Sequence, residues 1–345
     1  MRTKASLAVS VLAAIASPAF AGGADKDLCP VSKDGKWGYI DESGAVAIDL
    51  RFQDAGRFHC GLARVYDNGK WGYIDGQGKV VIGLQFDEAS DFRDDMASVC
   101  RKTGLIKKEC GFVDSSGKLV IEYQFDDVGS FSQGLAPCKK DGKWGYVDKK
   151  GTLVIRHQFF EAGAFHDDLA RVKVGSEIGG TYGYINQGGK MVVNPRYSKC
   201  GPFSEGLAAV EYNGKWGFID KKGQTAIETQ FEDAGQFADG LAPVRIGGVL
   251  GGAIGGSYGY VDKSGKIVIT PQFEKAGGFG SDRAPVKTKG RWGYIDKTGK
   301  MVIPASFAEA DSFVGKIACV KNNGKRMCID SDGTIIWPSK EGNID

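Results

Sequence analysis

The feature that most constrains this chain is a short phrase, DNGKWGYID at residues 67–75, that returns in close variants along nearly its whole length. Aligned on the glycine that follows the tryptophan, the copies fall at Gly38, Gly72, Gly111, Gly145, Gly183, Gly217, Gly259 and Gly293, with Met327 in a worn last copy. The basic spacing is about 34 residues, lengthened before Gly111, Gly183 and Gly259. A unit of that size cannot enclose a core alone, so each must bury one side against its neighbour. The 52 glycines fit this picture, because many short strands need many tight turns.

Within a unit, dipeptides such as Asp34-Gly35, Asn68-Gly69, Asp141-Gly142 and Asn213-Gly214 tolerate positive φ at both corners of a type I′ turn, and they predict two-residue hairpins. A turn at Asn68-Gly69 sets Asp67 opposite Lys70, Tyr66 opposite Trp71, Val65 opposite Gly72, Arg64 opposite Tyr73 and Ala63 opposite Ile74. With a side-chain period of two, Ala63, Val65, Gly72 and Ile74 share one face, and Gly72 leaves room for Val65. A second turn, Asp75 to Gly78 and its equivalents, leads to a third strand such as 79–82. The remaining stretch, 85–92, has apolar residues three apart and predicts a tight helical turn or loop whose aromatics plug adjoining units.

The hexapeptides KWGYID at Lys36 and Lys70, KWGYVD at Lys143, KWGFID at Lys215 and RWGYID at Arg291 resemble the WG-repeat (KWG/WG β-repeat) family. The resemblance implies exported bacterial β-rich repeat proteins that serve as interaction modules. Copies with Cys110, Tyr182, Tyr258 and Arg326 lack the tryptophan. The fold expected is all-β: tandem antiparallel three-stranded meanders stacked as an open β-repeat array or solenoid, over a single domain at 22–345. The long tips of repeats 3, 5 and 7 coincide with missing tryptophans, which suggests a structural repeat of two units. A closed β-propeller is the alternative; its blades generally take about 40 residues and four strands.

Residues 1–21 have the charged, apolar and small-residue layout of a secretory signal, with cleavage after Ala21, so a periplasmic or secreted location is expected. The apolar run is too short to span a membrane. The near balance of 45 basic and 42 acidic residues gives no nucleic-acid footprint. Eight cysteines in an exported chain suggest disulfides. The hairpin register sets Cys100 opposite Cys110 and Cys319 opposite Cys328 at non-hydrogen-bonded sites, whose Cα atoms lie about 4.5 Å apart, within disulfide reach. Among Cys29, Cys60, Cys138 and Cys200, the pairing considered is Cys29 with Cys60.

No cofactor or metal is expected. His59, His157 and His166 show no zinc spacing, and the recurrent turn aspartates supply mainly one carboxylate each, too few for calcium. The glycine-rich run 247–257 lies between strands and reads as a hairpin tip, not a phosphate loop. Trp71, Tyr73, Trp144, Tyr146, Trp216, Trp292 and Tyr294 form either an internal ladder between units, the preferred reading, or an exposed ligand-contact strip. The function expected is a non-enzymatic exported scaffold binding a protein or cell-envelope polymer. The alternative is a carbohydrate-binding module using Trp and Tyr platforms; a glycoside-active enzyme is less favoured, since no carboxylate pair breaks the repeat.

Overall fold

The short-tipped repeats are organised by their two-residue glycine turn. In the second repeat Asn68 and Gly69 both take positive φ, 51° and 80°, and the strands Ala63–Asp67 and Lys70–Ile74 pair in the register set out above, Val65 opposite Gly72 and Tyr66 opposite Trp71. The computed structural model describes residues 28–248 and 255–338, all strand, turn or irregular, with no helix among them. The expected signal segment lies outside the described residues.

The sheets hold one strand more than the three-stranded meander predicted. Eight are four-stranded and the first, among the described residues, is three-stranded. The added strand comes from the stretch expected as a helical turn. Glu88–Ala89 is extended and pairs with Val99 and Cys100 of the following repeat. It then closes a second two-residue hairpin, in which Asp94 and Asp95 take positive φ before the Arg93–Met96 bridge. A single residue, Asp87, separates it from the fourth strand of the preceding sheet, Val80–Phe86. One bent strand thus serves two sheets, and the same hand-over recurs from Phe52 to Asp54 and onward to Phe307 and Glu309.

This hand-over rotates successive sheets around a ring, and the ring closes. Cys29, Val31 and Ile40 of the first sheet share a buried cluster with Ile317, Cys319, Cys328 and Trp337 of the ninth. Lys316 Nζ lies 2.7 Å from Glu42 Oε2, and the Arg326 guanidinium sits 5.9 Å above the Trp37 ring. The open array is therefore overturned: the chain is a closed nine-bladed β-propeller. Nine is odd, so two alternating orientations cannot continue around the ring. The four-stranded blades all share one strand order, whether their tips are long or short.

The glycine beside the tryptophan has a different cause from the one predicted. A Cβ on Gly72 would lie 2.6 Å from the carbonyl oxygen of Ile82 and 2.8 Å from Gly83 C and Leu84 N, not against Val65. The fourth strand bulges there: Trp71 pairs with Phe86 and Tyr73 with Ile82, so extra residues crowd the backbone over position 72. Among the described residues of the ninth sheet, where Met327 holds this position, the fourth strand is Ile335–Trp337, with Cys328 opposite Trp337 and Ile329 opposite Ile335.

Candidate functional site

The aromatic series divides by position along the third strand. Tyr73, Tyr146 and Tyr294 are fully buried. Each hydroxyl donates to a backbone carbonyl in the next blade, at 2.8 Å: Tyr73 to Ser90, Tyr146 to Gly163 and Tyr294 to Asp311. Each ring also meets a phenylalanine of that blade, as Tyr73 meets Phe92 with centroids 4.8 Å apart. Burial pushes these hydroxyls well above the ordinary tyrosine range. They are staples between blades, with no surface for a ligand.

Trp71, Trp144, Trp216 and Trp292 are half-buried, each against the cluster its blade forms with the next. Arg64 lies 4.8 Å above the Trp71 ring, and Lys139 lies 6.0 Å from that of Trp144. Trp216 contributes to a groove of about 560 Å³ with Ser204, Gln236 and Pro243. Where tyrosine replaces tryptophan, its hydroxyl takes a carboxylate: Tyr182 donates to Glu161 at 2.6 Å and Tyr258 to Asp233 at 2.5 Å. In the third blade the same slot holds the Cys100–Cys110 disulfide, whose Cα atoms are 4.1 Å apart.

The turn carboxylates serve their own loops. Asp75 Oδ1 accepts from the amides of Gln77 and Lys79, each at 3.0 Å. The Ser264 hydroxyl, with the amides of Lys266 and Ser264, holds the Asp262 carboxyl below its usual range. One cysteine–histidine pair escaped sequence reasoning, since its members come from different strands: Cys138 Sγ lies 3.4 Å from His157 Nε2. Burial pushes the Cys138 thiol up to about 12 and lowers the His157 pKa, which leaves a neutral pair rather than a thiolate nucleophile.

Burial also pushes the Cys200 thiol up to about 11, whereas Cys60 is exposed. Iodoacetamide at about pH 8 is expected to label Cys60 within minutes and to spare Cys138 and Cys200 until the chain unfolds, as peptide mass mapping will show. The pairing considered between Cys29 and Cys60 is not made; Cys29 is buried at the ring closure instead, 3.6 Å from Cys319 Sγ. Cys319 and Cys328 form the second disulfide, again with Cα atoms 4.1 Å apart.

The most prominent surface lies at the hairpin tips. Leu105 and Ile106 at the tip of the third blade are 105% and 98% exposed, and Ile178 at the tip of the fifth is 92% exposed. Equivalent hairpins place both tips on one rim of the ring. A groove of about 580 Å³ runs beneath the third-blade tip, between Glu88, Asp126 and Lys140.

Fold and surface together define a nine-bladed propeller with protruding apolar tips and a stapled interior. The chain belongs to the family described as "WG containing repeat", whose model matches residues 37–71, 71–102, 111–144, 144–177, 182–216, 216–249, 258–292 and 292–325. No curated protein matches it by sequence. Among solved structures it is similar in fold to a eukaryotic initiation factor, at 11% identity and TM-score 0.62 over 89% of this chain and 93% of that one. Saccharomyces cerevisiae Sqt1 (11% identity, 78% and 93% covered, TM-score 0.44) and Kluyveromyces lactis Hsv2p (8%, 76% and 89%, 0.40) overlap too loosely to add to that.

Proposed function

We propose that the protein is an exported, non-enzymatic scaffold that binds a protein or a cell-envelope polymer through the rim carrying the long hairpin tips. One observation carries this reading: Leu105, Ile106 and Ile178 stand almost wholly in solvent, an arrangement that costs hydration free energy unless a partner covers the side chains. The inward chemistry points the same way. The buried tyrosines are spent on blade contacts, and Arg64 and Lys139 already sit over two of the tryptophans, so the sugar-platform alternative is less well supplied.

Serine at 105, 106 and 178 is the direct test. Because these side chains are already exposed, the substitutions should change stability by no more than about 0.5 kcal/mol. Recovery of a specific partner from envelope fractions is expected to fall by about tenfold or more, the loss of roughly 1.4 kcal/mol of binding. Undiminished recovery by the triple variant would remove the rim from the account. Recovery by the native chain no better than by an unrelated exported control would remove binding itself.

A further inference from the structure

We propose that the seam between the first and ninth blades is a thiol–disulfide latch, in which Cys29 exchanges into the Cys319–Cys328 disulfide and joins the two ends of the ring covalently. Eight of the nine blade interfaces are crossed by the chain itself, one residue separating the fourth strand of one sheet from the first strand of the next. Between Trp337 and Cys29 no such link exists among the described residues. The seam is the interface at which the ring can open.

The aromatic–alanine pair that marks the other interfaces is replaced at that interface alone. At each of the other eight, a third-strand aromatic packs with a second-strand alanine of the following blade: Tyr39 with Ala63, Phe112 with Ala136, Tyr294 with Ala318, and so on around the ring. At the seam the aromatic's place is taken by Cys328 and the alanine's by Cys29, with Cys319 paired across from Cys328. All three are buried, and their sulfurs lie within 4.8 Å of one another. Cys29 Sγ is 3.6 Å from Cys319 Sγ, although the two residues are 290 apart in sequence.

The exchange balances without an oxidant. Cys29 loses its proton and the thiolate attacks Cys319 Sγ; the Cys319–Cys328 bond breaks, and Cys328 leaves as a thiolate that takes up a proton. One disulfide is present before and after. The sulfurs form a triangle rather than a line, so a side-chain rotation brings the attacking sulfur into line first. Burial holds the Cys29 thiol above its ordinary range, with Arg57 and Arg326 opposing that rise and Asp311 adding to it. Exchange therefore quickens as pH rises.

The test uses the full chain, held at about pH 7 or about pH 9, quenched in acid, alkylated and mapped without reduction. The expected map joins Cys29 to Cys319 and places the alkyl label on Cys328, to a greater extent after the alkaline hold. On a non-reducing denaturing gel the latched chain should run ahead of a Cys29→Ala variant, because its covalent loop spans a separation of 290 residues in place of 9. Alanine is the residue found at this position in the other eight blades, so the variant supplies a folded standard. Cys319 joined only to Cys328, with Cys29 alkylated at both pH values, would overturn the latch. So would three unpaired thiols holding one soft metal ion per chain.

Discussion

Tyr146→Ala is expected to lower stability by about 4 kcal/mol, since it removes a fully buried aromatic ring that closes one blade on the next. Tyr146→Phe should cost only about 1 kcal/mol. It keeps the ring against Phe165, 5.0 Å away, and withdraws only the hydroxyl that donates to Gly163 O at 2.8 Å. Phe112 and Phe218 occupy the same position in the third and sixth blades and are buried equally well, so the site accepts phenylalanine without strain. Urea unfolding of the two variants will separate these effects. Equal small losses would place the tyrosine outside the blade interface, whereas equal large ones would make the hydroxyl, not the ring, the main contact.

Gly72→Ala is expected to cost about 3 kcal/mol, because the new methyl meets rigid backbone rather than a side chain that can rotate away. Its control lies in the adjoining fourth strand. Gly83 has no positive φ and no atom within 4 Å of its would-be Cβ, so Gly83→Ala should fall within about 0.5 kcal/mol of the native chain. Thermal or urea melts of the pair compare one added methyl in two surroundings. A tolerated alanine at position 72 would show that the bulge of the fourth strand can slide.

The repeat made the inner hairpin legible to the residue. A type I′ turn fixes the register, and the register then placed Cys100 against Cys110 and Cys319 against Cys328. The stretch 85–92 was misleading for a physical reason. Its residues Asp87, Glu88, Ser90 and Asp91 have low strand propensity, and apolar residues at 86, 89 and 92 imitate a helical period. Phe86 and Phe92 are also an even number apart, which suits a strand, and pairing with the neighbouring repeat decides between the two. The second hairpin carries a glycine in some copies, as at Gln133-Gly134 and Glu205-Gly206, but not at Asp94-Asp95 or Asp167-Asp168, so no single turn phrase recurs there as it does around Asn68-Gly69.

Ring closure was not legible because copies of one unit look alike whether they stand in a row or a circle. The small rotation between neighbours decides it, and that rotation comes from a one-residue hand-over between sheets. The aromatic candidates show the same limit. Alternation along the strand puts Trp71 and Tyr73 on one face, yet Tyr73 is buried and Trp71 keeps partial exposure, because the next blade covers only the part of the strand nearer Tyr73. The exposed tips at 105, 106 and 178 carry no repeat signal, and length was their only mark in the sequence.

Closure of nine blades into a ring is tested most directly by small-angle X-ray scattering of the monodisperse chain. A closed ring gives a compact particle with a radius of gyration of about 20 Å. Nine sheets in an open row, spaced about 10 Å apart, would instead extend over roughly 80 Å, and a scattering curve of that elongated form would contradict closure.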